Sequence, residues 1–158
     1  MTDEISLISQ AIKEIGEECS GIITSFNIAP AVLDTAHLPA LYPLTGASVD
    51  SESTYGETID HSIRTFRVQV AVLPIGQANA EERETSCRPL LSEVRKVFKS
   101  HPALRSLISP DGVPGIQRSR VISDSGIVVL PEWGAKYVGF EIRLQVEYTV
   151  ERVFSSNE

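Results

Sequence analysis

The chain has 158 residues, 42% apolar and 22% charged, with a formal charge of −7. That size and composition fit a single soluble globular domain, here residues 1–158, with a core of its own. The negative balance argues against a chain-wide grip on nucleic acid, which needs clustered Lys and Arg.

The N-terminus lacks a cationic segment followed by an apolar stretch, and no run of 18 apolar residues occurs. Neither secretion nor membrane insertion is expected, and synthesis in the cytoplasm follows. Cys19 and Cys87, the only two cysteines, fall on apolar faces of predicted helices and are expected as buried free thiols.

Residues 3–20 predict an amphipathic helix. Ile5, Ile8, Ile12, Ile15, Cys19, Ile22 and Phe26 step by threes and fours along one stripe. Thr2 is its expected N-cap, Asp3 and Glu4 suit the positive end of the helix dipole, and Gly21 marks the stop. A stripe broken this soon by Gly and Pro points to a helix lying on a sheet rather than a coiled coil.

Residues 25–39 lack periodicity and read as an irregular crossing. The run Leu38-Pro39-Ala40-Leu41-Tyr42-Pro43-Leu44 is apolar, but each proline removes a ladder donor, so it reads as an edge strand or an extended arm. Residues 46–57 are polar, acidic and rich in turn formers, which predicts a mobile loop.

Residues 59–73 alternate Phe66, Val68, Val70 and Val72 with Thr65, Arg67, Gln69 and Ala71, a strand ending at Pro74. Asn79, followed by Glu82, caps a second helix. Pro89 implies either a kink or a firm helix beginning near Ser86; Leu90, Leu91, Val94, Val97 and Phe98 give its buried face, and His101-Pro102 ends it.

An apolar turn at 103–108 and the turn signals Pro110-Asp111-Gly112 and Val113-Pro114-Gly115 follow. Strands are expected at 116–123 and 127–130, with Asp124-Ser125-Gly126 as a hairpin turn or a bulge, and Pro131-Glu132-Trp133-Gly134 as the last turn.

The final strand, residues 137–153, is the longest. Val138, Phe140, Ile142, Leu144, Val146, Tyr148 and Val150 alternate with Gly139, Glu141, Arg143, Gln145, Glu147, Thr149 and Glu151. The element order predicts an α+β fold: a mainly antiparallel sheet of about four long strands with two amphipathic helices on one face.

Catalytic signatures are absent from the sequence. His37, His61 and His101 stand apart from one another, with no His-Glu-x-x-His, Cys-x-x-Cys, phosphate loop or Gly-x-Ser-x-Gly elbow. Asp60, His61 and Arg64 offer a small hydrolytic or ligand-binding alternative, but neighbouring strand residues point to opposite faces. No catalytic, metal or cofactor residue is therefore assigned. Arg64, Arg67, Arg118, Arg120 and Arg143 are expected on strands, in cross-strand ion pairs rather than a phosphate patch. Trp133 suits either an interface anchor or a cap on the core.

Strand length says more. Seventeen extended residues span about 55 Å at ~3.3 Å each, whereas a compact domain of this size is about 40 Å across. The final strand must bend, break or reach beyond its own subunit, which points to self-assembly.

The chain resembles the tail terminator (tail completion) proteins of long-tailed bacteriophages. The likeness lies in the N-terminal amphipathic helix, the segment Leu38-Pro39-Ala40-Leu41-Tyr42-Pro43, and the acidic loop before a long strand. A second helix closed by His101-Pro102-Ala103-Leu104 and the strand opening Tyr137-Val138-Gly139-Phe140-Glu141 complete it. The resemblance implies a non-enzymatic virion protein without cofactors, made in the host cytoplasm, that forms a hexameric ring at the head–tail junction. Such a ring stops growth of the tail tube and docks the head connector or stopper, with DNA passing through its lumen. The implied partners are other copies of itself, the major tail tube protein and the connector, not a membrane. Another neck or head-completion protein is the nearest alternative. Leu38, Leu41, Tyr42 and Leu44 in the arm, and Trp133 with Tyr137 at the last turn, are the candidate assembly contacts.

Overall fold

The computed structural model describes residues 4–52, 59–104 and 115–151. The expected N-cap at Thr2, the outer half of the acidic loop, the turns at 110–114 and the end of the last strand lie outside these residues.

Two helices cover one face of a sheet. α1 (Glu4–Glu18) buries Ile8, Ile12 and Ile15, and Cys19 just beyond its end continues the stripe. Gly21, at φ +95°, turns the chain away where a side chain would be strained. The stripe does not continue to Phe26, which packs on the opposite side of the sheet. α2 (Ala80–Lys99) is capped by Asn79, whose Oδ1 accepts the Glu82 N–H at 2.9 Å. It is one helix throughout, with Pro89 inside it on the exposed side. Cys87, Leu90, Val94 and Phe98 face inward.

The sheet corrects the sequence-based expectation in strand number and direction. The described residues form six strands: β1 (Thr24–Ser25), β2 (Ala40–Glu52), β3 (Ile59–Pro74), β4 (Ile116–Asp124), β5 (Val128–Leu130) and β6 (Tyr137–Glu151). Their order is β1-β2-β3-β6-β4, with β5 also paired to β6. β1 runs parallel to β2, so the sheet is mixed, and the short helical turn α3 (Glu132–Ala135) adds a third α-helix among the described residues. The fold remains α+β. Two residues of β1 are too few to leave any periodic signal, which is why the irregular crossing concealed a strand.

β4 and β5 run antiparallel to successive stretches of β6, β4 beside 142–148 and β5 beside 137–139. They form one interrupted edge, so Asp124-Ser125-Gly126 is a break in that edge and not a hairpin turn. The Asp124 Oδ1 accepts the Gly126 N–H at 2.8 Å, and Ser125 bridges to the Glu141 backbone through both its N–H and its hydroxyl, each at 2.9 Å.

β2 also exceeds the expectation. Residues 46–52, predicted to loop, are strand, and a register shift between Thr45 and Ser48 lets the polar stretch keep pairing with β3. The Leu41 carbonyl accepts the Phe26 N–H at 2.8 Å on the outer side of β2. Pro43, two residues on, presents its missing donor to that same side, as an edge strand allows.

The helix-side core joins α1 and α2 to Phe66, Val68, Val70, Phe140, Ile142 and Leu144. A second, smaller core occupies one end of the other face. There residues 26–38 cross the sheet and enclose Leu33, Leu38, Ala40, Tyr42, Ala71, Leu130 and Tyr137.

Candidate functional site

The second face of the sheet has a closed end and an open end, and the ladder register fixes which residues belong to each. Tyr42, Gln69 and Glu141 lie in one row across β2, β3 and β6, and Leu44, Arg67 and Arg143 in the next. Further along, Val49, Ile63, Glu147 and Arg118 share a row that the crossing segment does not reach.

At the closed end the row is wired by hydrogen bonds. The Tyr42 hydroxyl donates to Gln69 Oε1 at 2.8 Å, and Gln69 Nε2 donates to Glu141 Oε1 at 2.9 Å. Arg67 Nε donates to the same carboxylate oxygen at 2.8 Å, and Arg143 Nε reaches the other at 3.4 Å. Burial pushes the Glu141 carboxyl up, but the bonds from Gln69, Arg67 and Arg143 and the Arg67 charge outweigh it and hold the group below its ordinary value. Burial, reinforced by the Glu132 charge, pushes the Tyr42 hydroxyl far upward, so it remains a donor.

The turn that carries Glu132 is left-handed at three successive residues, with φ of 55° at Trp133, 72° at Gly134 and 58° at Ala135. Packing holds this strained arrangement. Trp133 stands edge-on to Tyr42 at 4.9 Å between ring centroids, and its Nε1 donates to the Pro30 carbonyl at 3.2 Å. Tyr137 donates to the Leu33 carbonyl.

The candidate contacts thus fall in two groups. Leu41 and Tyr42 are wholly buried, with Leu38 and Tyr137 nearly so, and all four pack inside their own subunit. Leu41 faces the helices, while Leu38, Tyr42 and Tyr137 belong to the second core. Leu44 and Trp133 are half-buried beside that core. The arm is part of the sheet, and Trp133 caps the core beneath the crossing segment.

The flanking prolines suggest a free arm, but Leu41 and Tyr42 lie inside the subunit. The groups that bury them, the helices over Leu41 and the crossing segment and Trp133 over Tyr42, come from distant parts of the chain and leave no mark in the local sequence. The open end was also missed, although Val49 at 73% exposure and Ile63 at 36% follow from alternation once the register is known.

His61 and Arg64 are not brought together. His61 is exposed on the second face, whereas Arg64 points to the helix face and donates to the Gly46 carbonyl at 2.8 Å and the Tyr148 hydroxyl at 3.2 Å. Asp60 has its strand position but no described side chain. A groove of 220 Å³ between α1 and β2, lined by Ile5, Ser6, Asn27, Pro43 and Thr45, carries no titratable lining group. Among the described residues no cluster of His, Cys, Asp and Glu is suited to hold a metal. No described helix is long and apolar enough to cross a membrane.

No protein-family model and no curated protein matches the chain. The open face, the strand lengths and the charge layout therefore carry the functional argument.

Proposed function

We propose that this chain is the structural subunit of a ring that closes a bacteriophage tail tube. In this reading six copies surround a lumen through which DNA passes, one ring face ends growth of the tube, and the other receives the head connector. The chain acts by assembly and performs no catalysis.

The observation that carries the reading is the extent of the β3–β6 pair. β3 has 16 residues and β6 has 15, paired from Ile59 with Glu151 to Pro74 with Tyr137. Fifteen strand residues extend about 50 Å, while the longer helix above them, α2, covers about 30 Å. Two helices and one crossing segment thus leave sheet surface uncovered, with Val49 and Ile63 exposed on it. Sheet of this length, with Val49 and Ile63 exposed at its open end, is suited to burial against other subunits.

Electron microscopy of the purified protein mixed with tail tubes tests the reading. Rings at the tube ends, and tubes that no longer elongate, are the expected result. Binding to the head connector without binding to tubes would instead make the chain another neck component. Absence of rings in every mixture, with a monomer in sedimentation, would overturn it.

A further inference from the structure

The open end of the second face is divided across its width. Its β2 and β3 half presents Leu44, Val49 and Ile63 with Thr65 and Arg67. Its β6 and β4 half presents Arg143, Gln145 and Glu147 beside Ser123, Arg120 and Arg118. Three arginines thus stand in three successive rows of one face. Arg118 and Arg120 are about 7 Å apart along β4, and Arg143 lies diagonally across from Arg120 on β6, at about 7–8 Å.

All three are exposed, and each is tied to the sheet through its Nε. Arg118 donates to Glu147 at 2.7 Å, Arg120 to Gln145 at 3.2 Å, and Arg143 to Glu141 at 3.4 Å. That single residue is the polar partner of each among the described residues, which leaves guanidinium donors to spare. Glu147 offsets the charge of Arg118, but Gln145 is neutral. Glu141 is already held by Arg67 at 2.8 Å and Gln69 at 2.9 Å, so the longer contact takes little from Arg143.

Among the described side chains that the strands present on this face, four arginines meet two glutamates, Glu141 and Glu147. Glu132 joins from the last turn, 3.8 Å from Arg67 and beyond the open rows. In a chain with a formal charge of −7, the β6 and β4 half of the open end is therefore locally basic.

We infer that this half of the open face contacts the phosphate backbone of duplex DNA through Arg118, Arg120 and Arg143. A guanidinium anchored at Nε still offers a planar fork that matches a phosphate. Holding the side chain in place beforehand lowers the ordering cost of the contact. Gln145, Ser123 and Thr65 around the arginines are donors of the kind that phosphates and sugars accept. No aromatic side chain occurs on this half among the described residues, so base stacking plays no part. An acidic chain with three such contacts holds DNA weakly and at any sequence, which suits DNA in transit. The inference deepens the proposed function and rests on it: it turns the β6 and β4 half toward the lumen and leaves Val49 and Ile63 to a neighbouring subunit.

The test measures binding of a short labelled duplex by fluorescence anisotropy, with rings on tail tubes scored in parallel by electron microscopy. Wild-type binding should weaken steeply between about 50 and 200 mM salt, and equally for unrelated sequences. Arg120→Gln should reduce the salt slope by about one. Arg118→Gln, Arg120→Gln and Arg143→Gln combined should weaken binding about tenfold or more at low salt. Arg88→Gln, on the exposed side of α2 across the sheet, is the control and should change nothing. Should circular dichroism show the triple variant unfolded, Arg120→Gln alone carries the test.

Unchanged binding in the arginine variants, or an equal loss in Arg88→Gln, would overturn the assignment. So would displacement of the duplex by polyglutamate as readily as by unlabelled duplex, which would make an acidic protein segment the occupant. Wild-type rings on tubes with no DNA binding at low salt would overturn this inference and leave the ring reading standing. Binding that depends on the three arginines, from a chain that forms no rings, would overturn the ring reading alone. A chain that shows neither would overturn both.

Discussion

Gln69 and Glu141 face each other across the β3–β6 ladder, and the Gln69 amide donates to the buried carboxylate at 2.9 Å. Arg67 adds a second bond to the same oxygen at 2.8 Å. Glu141 is 8% exposed, so its charge survives burial because its donors are already in place.

That arrangement sets an acid limit on stability. The folded Glu141 binds its proton less readily than the unfolded one, whose ordinary value is 4.5. Its contribution is therefore fully present above that value and is lost as pH falls through the depressed folded value. Urea midpoints measured from pH 3 to 7 should fall on the acid side, and Glu141→Gln should flatten that fall. At pH 7 the same variant should cost about 1–2 kcal/mol, from the lost charge-assisted bonds. Parallel pH curves for the two proteins would contradict this account.

Gly139 is expected to tolerate no side chain. A Cβ there would stand 1.8 Å from the Val70 carbonyl oxygen, a backbone atom in the paired strand that cannot move aside alone. Gly139→Ala should cost about 3 kcal/mol, as overpacking in a close-packed interior does. Gly76→Ala, where a Cβ meets nothing within 4 Å, is the matched control and should change stability by less than about 0.5 kcal/mol. Thermal melts of the pair measure the difference.

Cys19 and Cys87 should resist modification while the protein is folded. Burial, followed by the charges of Glu93 and Glu18, pushes the Cys19 thiol up to about 12; burial and Glu84 push Cys87 to about 11. With so little thiolate, both should react slowly with a disulfide reagent at pH 8 and quickly in urea. The raised values also predict that stability is intact below the unfolded value of 9.0 and declines as pH rises from there toward the folded values. Rapid labelling of the native protein would disprove the burial argument.

The sequence determined by itself what depends on local periodicity. The α1 stripe through Cys19, the Asn79 cap, the reach of β3 and the alternation of β6 all follow from side chains repeating at the period of their own backbone. What only the tertiary structure decided is what depends on partners distant in the chain. Thr24 and Ser25 became a strand because Ala40 and Leu41 lay beside them, and the polar stretch 46–52 because β3 continued past it. Tyr42 and Leu41, apparently free on a proline-rich arm, were buried by residues from elsewhere in the chain. That residues 40–52 lie toward one edge of the sheet and residues 116–124 at the other was decided by strand order alone. Hydrophobic period is a property of one segment, whereas a sheet edge is defined by which segments pair and which do not.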